Sequence, residues 1–309
     1  MMDLRRLIKA GTQFGHQHKW GNPKSRRFLW GQRNGIDLID VSQTAVMLDT
    51  AAKFLEKIAS EGKEILWCGT KKAAQKAMEL VEQAGWPVVR HRWVGGTFTN
   101  PNEVRKAVRK LVQNKDILVK SDRSHFTKKE LSVLNKVTER LSKTVGGIEA
   151  LKWPVGALVV IDVRKEHVAV KEAIACGVPV IALVDTNASP DGILYPIPAN
   201  DDGEESIMLI AGEDLLKAAL AGKERHRERA QQALADATAA QGALAVDASS
   251  PNAVDKSQID MQLAAVEASL DQDESESGRK PSGAKAPLRR PQSRGKSDGA
   301  SRGNRSNKR

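Results

Sequence analysis

Ala157-Leu158-Val159-Val160-Ile161 and Val178-Pro179-Val180-Ile181-Ala182-Leu183-Val184 are two apolar runs, separated by a helical segment from Val168 to Ala175 that stops before Gly177. A strand with one wet face alternates polar and apolar residues, whereas an uninterrupted β-branched run suits a strand covered on both faces. The same order occurs earlier in the chain. A strand over Glu64 to Cys68 is followed by a helix over Lys71 to Ala84, which ends before Gly85, and by a strand over Pro87 to Arg90. Strands alternating with single helices predict an α/β fold: an open, doubly wound, mainly parallel sheet of the flavodoxin-like kind.

Between the two halves lies an insertion, residues 101–146, that breaks the alternation. Val104, Ala107, Val108, Leu111 and Val112 make one apolar stripe, and Leu131, Leu134, Leu141 and Val145 make another. Thr127 with Glu130 carries the capping-box signature at the second helix start. Two antiparallel helices sharing a narrow seam predict a projecting coiled-coil hairpin, its outer faces basic through Lys115, Lys120, Arg123, Lys128, Lys129, Lys136, Arg140 and Lys143.

Outward from these halves, Ile36 to Val41 is a short apolar run, and Ser42 can cap a helix carrying Leu48, Ala52, Leu55, Ile58 and Ala59 that stops at Gly62. Residues 204–221 read as a last core helix, so the α/β core spans 36–222, with a helical extension over 223–240. Residues 1–35 form a basic arm: seven Lys and Arg residues from Arg5 to Arg27 face a single acid, Asp3, and the arm has few apolar residues to bury. Residues 241–309 predict disorder, first acidic and then basic.

Charge is distributed unevenly. Residues 1–231 hold 37 Lys+Arg against 28 Asp+Glu, residues 232–278 hold 1 against 9, and residues 279–309 hold 11 against 1. A basic body implies a polyanionic partner. No run approaches the roughly 18 to 20 apolar residues of a spanning helix, and the charged start from Asp3 to Lys9 lacks a signal-peptide core, so a cytoplasmic location is expected. Cys68 and Cys176 each lie near the edge of an apolar run and without a C-x-x-C partner, which predicts packed core thiols rather than a zinc knuckle or disulfide framework.

The stretch with the clearest binding chemistry is Arg92-Trp93-Val94-Gly95-Gly96-Thr97-Phe98-Thr99-Asn100. Paired glycines let backbone N–H groups approach a phosphate, Arg92 supplies charge, and Trp93 or Phe98 offers a face to a base. Asn100 stands at the N-cap position, Pro101 at the first helical position and Glu103 three residues after the cap, followed by Arg105, Lys106, Arg109 and Lys110. The alternative is that both aromatics are core residues beside an ordinary turn.

Several motifs in register resemble one family. Gly11-Thr12-Gln13-Phe14-Gly15-His16, Asn22-Pro23 and Asn34 to Asp40 resemble the opening of the bacterial small-subunit ribosomal protein S-two family. The segments Gly69-Thr70-Lys71-Lys72, Arg92 to Asn100, Lys128-Lys129-Glu130, Gly146-Gly147-Ile148, Asp185-Thr186-Asn187 and Tyr195 to Pro198 through Asp202 follow in the same order, so the resemblance covers about residues 4 to 222. Ala188, Ser189 and the acid-free Gly192-Ile193-Leu194 depart from the family pattern. The resemblance implies a non-enzymatic constituent of the small ribosomal subunit, carrying the projecting hairpin. Its implied partners are small-subunit ribosomal RNA and neighbouring ribosomal proteins, including the large messenger-binding protein S-one. No cofactor, membrane or DNA is expected.

The RNA-binding residues expected are Arg5, Lys9, His16, His18, Lys19, Lys24, Arg26 and Arg27 on the arm, then Arg92, Trp93, Thr97, Asn100, Arg105, Lys106 and Arg109. The rival reading is a nucleotide-binding enzyme using the carboxyl edge of the sheet, where Gly69-Thr70-Lys71-Lys72, Asp162 and Asp185 leave the strands. Gly69 is alone there, without G-x-G-x-x-G or a P-loop, and no G-x-S-x-G elbow occurs. Asp162 and Asp185 then cap turns or pair with cations. Asp201, Asp202, Glu204 and Glu205 fit a helix start or, with Asp185, a divalent cation; the helix start is favoured. His16 and His18 fit RNA or backbone contact better than a metal, for which no third ligand is indicated.

Overall fold

The computed structural model describes residues 3–119 and 126–247, the side chains of 234–247 excepted. Its centre is a five-stranded parallel sheet made by β4 (Glu64–Cys68), β5 (Val88–Val89), β6 (Val155–Ile161), β7 (Val180–Val184) and β8 (Tyr195–Pro198). The spatial order is β5-β4-β6-β7-β8. Numbered within the sheet this is 2-1-3-4-5, the flavodoxin-like order, with its switch point between β4 and β6.

The apolar runs serve two cores because neighbouring residues on a strand point to opposite faces. Ile65, Trp67, Ala157, Val159, Ile161, Ile181 and Leu183 join one cluster with α2 (Val41–Ser60), α3 (Gln75–Gln83) and the C-terminal helices. Leu66, Cys68, Leu158, Val160, Val180, Ala182 and Val184 join the other with α6 (His167–Ala175) and the bases of α4 (Pro101–Val119) and α5 (Lys128–Val145). Each fully buried Val, Leu or Ile contributes about 1.5–3 kcal/mol relative to exposure, so both faces are hydrophobically driven.

The expected helices at 101–146 are present and pack against each other, with Val104, Leu111 and Val145 buried at the sheet end. Thr127 and Glu130 form the reciprocal capping box.

Several boundaries differ from expectation. The cap of α2 is Asp40, whose carboxylate accepts the Ser42 N–H, not Ser42 itself. The segment 71–84 opens with a 3-10 turn (Lys72–Ala74) before α3. The last core helix is divided into α7 (Glu204–Ile207), a π-helical stretch (Met208–Leu215) and α8 (Leu216–Asp247). Helix therefore persists beyond residue 240, where disorder is expected; the remainder of the tail, 248–309, lies outside the described residues. Cys68 is buried, but Cys176 is exposed, because it follows α6 at the turn into Gly177.

The basic arm carries regular structure of its own. It folds as α1 (Leu4–Lys9), β1 (Phe14–Gln17), two 3-10 turns and β2 (Leu29–Arg33), and with β3 (Ile36–Ile39) it forms a three-stranded antiparallel sheet in the order β1-β3-β2. Leu7 and Phe28 are buried. Hydrogen bonds compensate for the scarcity of apolar residues: Asn22 N–H donates to Thr186 O, Asn200 N–H to Thr12 O and the Ser25 hydroxyl to Ala188 O.

Candidate nucleic-acid interface

The Arg92 to Asn100 loop lies between β5 and α4, which begins at Pro101, and adds Trp93 and Phe98 to the second apolar cluster. Gly96 has φ +94°, a backbone conformation that a side chain disfavours. One carboxylate gathers the loop's donors: Glu172 on α6 accepts from Trp93 Nε1 (3.3 Å) and Gly96 N (2.9 Å) at Oε1, and from Phe98 N (3.2 Å) at Oε2. The Trp93 and Phe98 rings lie 5.3 Å apart. Trp93 is 7% exposed and Thr97 1%, so these two expected RNA contacts, and the Phe98 face, point into the core. Arg92 and Asn100 remain exposed on the outer side. Glu172 has no local signal in the sequence; it reads as an ordinary acid on the helix face and reaches the loop only through the fold.

Around this loop, Trp153 donates from Nε1 to Thr97 O (3.2 Å) and supports the Arg105 guanidinium 4.9 Å above its ring. Lys106 pairs with Glu103 at 2.6 Å, and Arg109 is exposed. The arm carries a second group of cations. Lys19 lies 5.4 Å over Trp20, Arg27 lies 4.7 Å over Phe28, and Lys24 pairs with Asp191. The exposed ion pairs Lys24–Asp191 and Lys106–Glu103 are worth about 0–1 kcal/mol each. Arg5, Lys9, Arg26, Arg92 and Arg109 are exposed and form no salt bridge with another described residue.

The two arm histidines face acids. His18 Nδ1 is 2.8 Å from Asp37 Oδ1, and Asp37 is buried. His16 is held by its N–H to Thr186 Oγ1 (2.9 Å), and at Gly15 a Cβ would come 2.3 Å from Thr186 Cγ2, so only glycine permits this approach to the carboxyl end of β7. There His16 Nδ1 is 2.9 Å from Asp185 Oδ2, and Nε2 is 3.1 Å from Asp202 Oδ2. The hydrogen bond to Asp185 outweighs burial and raises the His16 pKa.

At the same sheet edge Lys71 Nζ contacts Asp202 Oδ1 (2.6 Å), Asp201 Oδ1 (2.7 Å) and Asp162 Oδ2 (3.4 Å). Burial opposes its charge, but the bonds to Asp201 and Asp202 prevail and hold its pKa above the ordinary lysine value. Asp162, at φ 69°, also accepts the Lys165 N–H. The lysine that a nucleotide site would aim at phosphate is thus occupied by carboxylates. Glu204 and Glu205 begin α7, while Asp201 and Asp202 serve the cluster.

Comparison with known proteins accords with this architecture. The family model for ribosomal protein S2 matches residues 7–222. The chain belongs to the ribosomal protein S2 family. It is 42% identical over 212 residues to the small ribosomal subunit protein uS2 of Micrococcus luteus, covering 68% of this chain and 74% of that protein. It is 39% identical over 250 residues to the uS2 of Corynebacterium urealyticum, covering 80% and 93%. The uS2 of Corynebacterium kroppenstedtii is 39% identical over 244 residues, covering 78% and 84%. Membership makes this a small-subunit ribosomal protein of the cytoplasmic ribosome and not an enzyme, so the nucleotide-enzyme reading of the sheet edge is set aside.

Proposed function

We propose that the chain binds small-subunit ribosomal RNA through two cationic groups, the arm and the loop leading into α4, and braces neighbouring ribosomal proteins. The observation that carries this reading is the set of five exposed cations, Arg5, Lys9, Arg26, Arg92 and Arg109, with no acidic partner among the described residues of a ribosomal family member. Each places a positive charge where phosphate can replace water and release condensed counterions. Lys24 and Lys106 join them by exchanging weak surface pairs. The α4–α5 pair acts as a projecting coiled-coil hairpin whose Lys128, Lys129, Lys136, Arg140 and Lys143 extend the basic surface. The large messenger-binding protein S-one is among the protein partners.

Shape and backbone geometry set specificity, since Trp93 is committed to the core and cannot stack on a base. The test is filter binding to small-subunit RNA across a salt series. The logarithm of affinity falls linearly with the logarithm of salt, and Arg92→Ala or Arg109→Ala each reduces the slope by about 0.7–0.9 per lost phosphate contact. An unchanged slope in both variants, with RNA cross-links absent from 92–109, defeats the reading.

A further inference from the structure

We infer that the helix pair α4 and α5 carries a site for one unstacked guanine of the bound RNA, read by Asn114 and covered by Phe126. The inference deepens the RNA-binding reading and rests on it. Asn114 continues the apolar stripe of α4 three residues after Leu111, and it is only 7% exposed. A seam asparagine costs stability, the more so when its amide donor is left unpaired. Asn114 Nδ2 is buried with no hydrogen-bond partner. Thr138, the other buried polar side chain of the pair, is satisfied, since its hydroxyl donates to Leu134 O at 2.8 Å.

The unmet donor lines a groove of about 460 Å³ between the helices. Half-buried Leu134 and Val137 form part of its wall, and Phe126 and Val133 stand at it 39% and 56% exposed. A single water takes up about 30 Å³ and needs about two to four polar partners, so it neither fills this space nor finds enough partners along apolar walls. Phe126 joins no ring stack or cation–π pair among the described residues, which leaves its face to a ligand.

The rim selects that ligand. Lys110 and Lys129 line the groove, are exposed and form no salt bridge with another described residue. The acid on the wall, Glu130, has Oε2 engaged by the Thr127 N–H at 2.8 Å and the Thr127 hydroxyl at 2.9 Å. The free polar groups are therefore mostly donors, one amide and two ammoniums. A flat ligand that offers acceptors meets them: an unpaired base stacks on an aromatic face while its flanking phosphates take the lysines. Guanine sets two acceptors, N7 and O6, side by side, whereas adenine has an amine donor next to N7 and cytosine presents a donor. The Asn114 amide donates to one guanine acceptor and a lysine to the other, adding one base-specific contact to a recognition otherwise set by shape.

Dimethyl sulfate probing of small-subunit RNA with the full chain tests this, because the reagent methylates guanine N7. One unpaired guanine protected at N7 by the wild type, and left reactive with Asn114→Leu, is the expected result. That variant replaces an unmet donor by an apolar side chain, so its melting temperature is equal or higher while its RNA affinity falls. Phe126→Ala, at an exposed position, weakens binding by about 5–150-fold at fixed salt, the range for one lost base stack, with the salt slope unchanged. Wild-type affinity in both variants, or N7 protection that neither removes, overturns the inference. So does loss of a neighbouring ribosomal protein from reconstituted subunits by Phe126→Ala with RNA binding intact, which assigns the groove to a protein. In any of these cases a reduced salt slope in Arg92→Ala or Arg109→Ala keeps the RNA-binding reading standing, so the two failures are told apart.

Discussion

Glu172 and Asp201 are each a single carboxylate on which a neighbourhood depends. Replacing Glu172 by alanine leaves the donors of Trp93, Gly96 and Phe98 unpaired, at a cost of about 1–3 kcal/mol for a buried unsatisfied group. The measurement is the urea midpoint followed by tryptophan fluorescence, with faster amide exchange at 96–98; Glu172→Gln, which keeps one acceptor, loses less. Asp201 governs a pH effect. Burial, then the charge of Asp185, pushes its folded-state pKa up to about 7, above the ordinary value of 3.8, so between these limits the folded chain holds a proton that the unfolded chain has released. Stability therefore falls as pH rises from about 4 to about 7, and the raised His16 pKa acts in the same direction, its contribution present below 6.5 and lost above its folded value. Denaturation in chelator at pH 5.5 and pH 8 shows the wild type weaker at pH 8, and Asp201→Asn flattens the difference. The carboxylates with lowered pKa, Asp49, Glu61, Glu130 and Asp191, lie on the surface and act at more acidic pH.

At the scale of elements, the start of α5 is fixed by side chains close in sequence. Thr127 accepts the Glu130 N–H while Glu130 accepts the Thr127 N–H, so two orphan donors are satisfied without help from the rest of the fold. Thr127→Ala costs about 1 kcal/mol of helix stability, seen as faster amide exchange through the first turn of α5 while the sheet is unchanged. The junction at the other end is tertiary. At Gly147 a Cβ would sit 1.9 Å from Val88 O on β5, so Gly147→Ala forces the edge strand away and lowers the thermal midpoint. Strands and helices were legible from apolar runs, because each face of β4, β6 and β7 meets a separate core. The arm was not, because Thr12, Asn22 and Ser25 tie it to backbone groups of Asn200, Thr186 and Ala188, and a backbone partner carries no residue-specific signal.

For the whole molecule, a chain ending at Asp247 retains α1 through α8 and the two cationic groups, and it lacks the eleven Lys and Arg of residues 279–309. Its RNA affinity is expected to fall most at low salt and its salt slope to become shallower, measured beside the full chain in the same series. The alternation of strands and helices on either side of the insertion, the parallel sheet and the helix pair at 101–146 were determined by sequence alone, since hydrophobic period and local caps act over a few residues and survive without knowledge of the partner surface; the family was legible from short motifs in register. Tertiary structure alone decided that Trp93 and Thr97 turn inward, that Cys176 turns outward, and that His16 meets Asp185 and Asp201. The inward turn of Trp93 and the meeting of His16 with Asp185 and Asp201 depend on side chains brought together across 79 to 185 positions, where contact follows from how the layers stack and not from the identity of any neighbour in the chain.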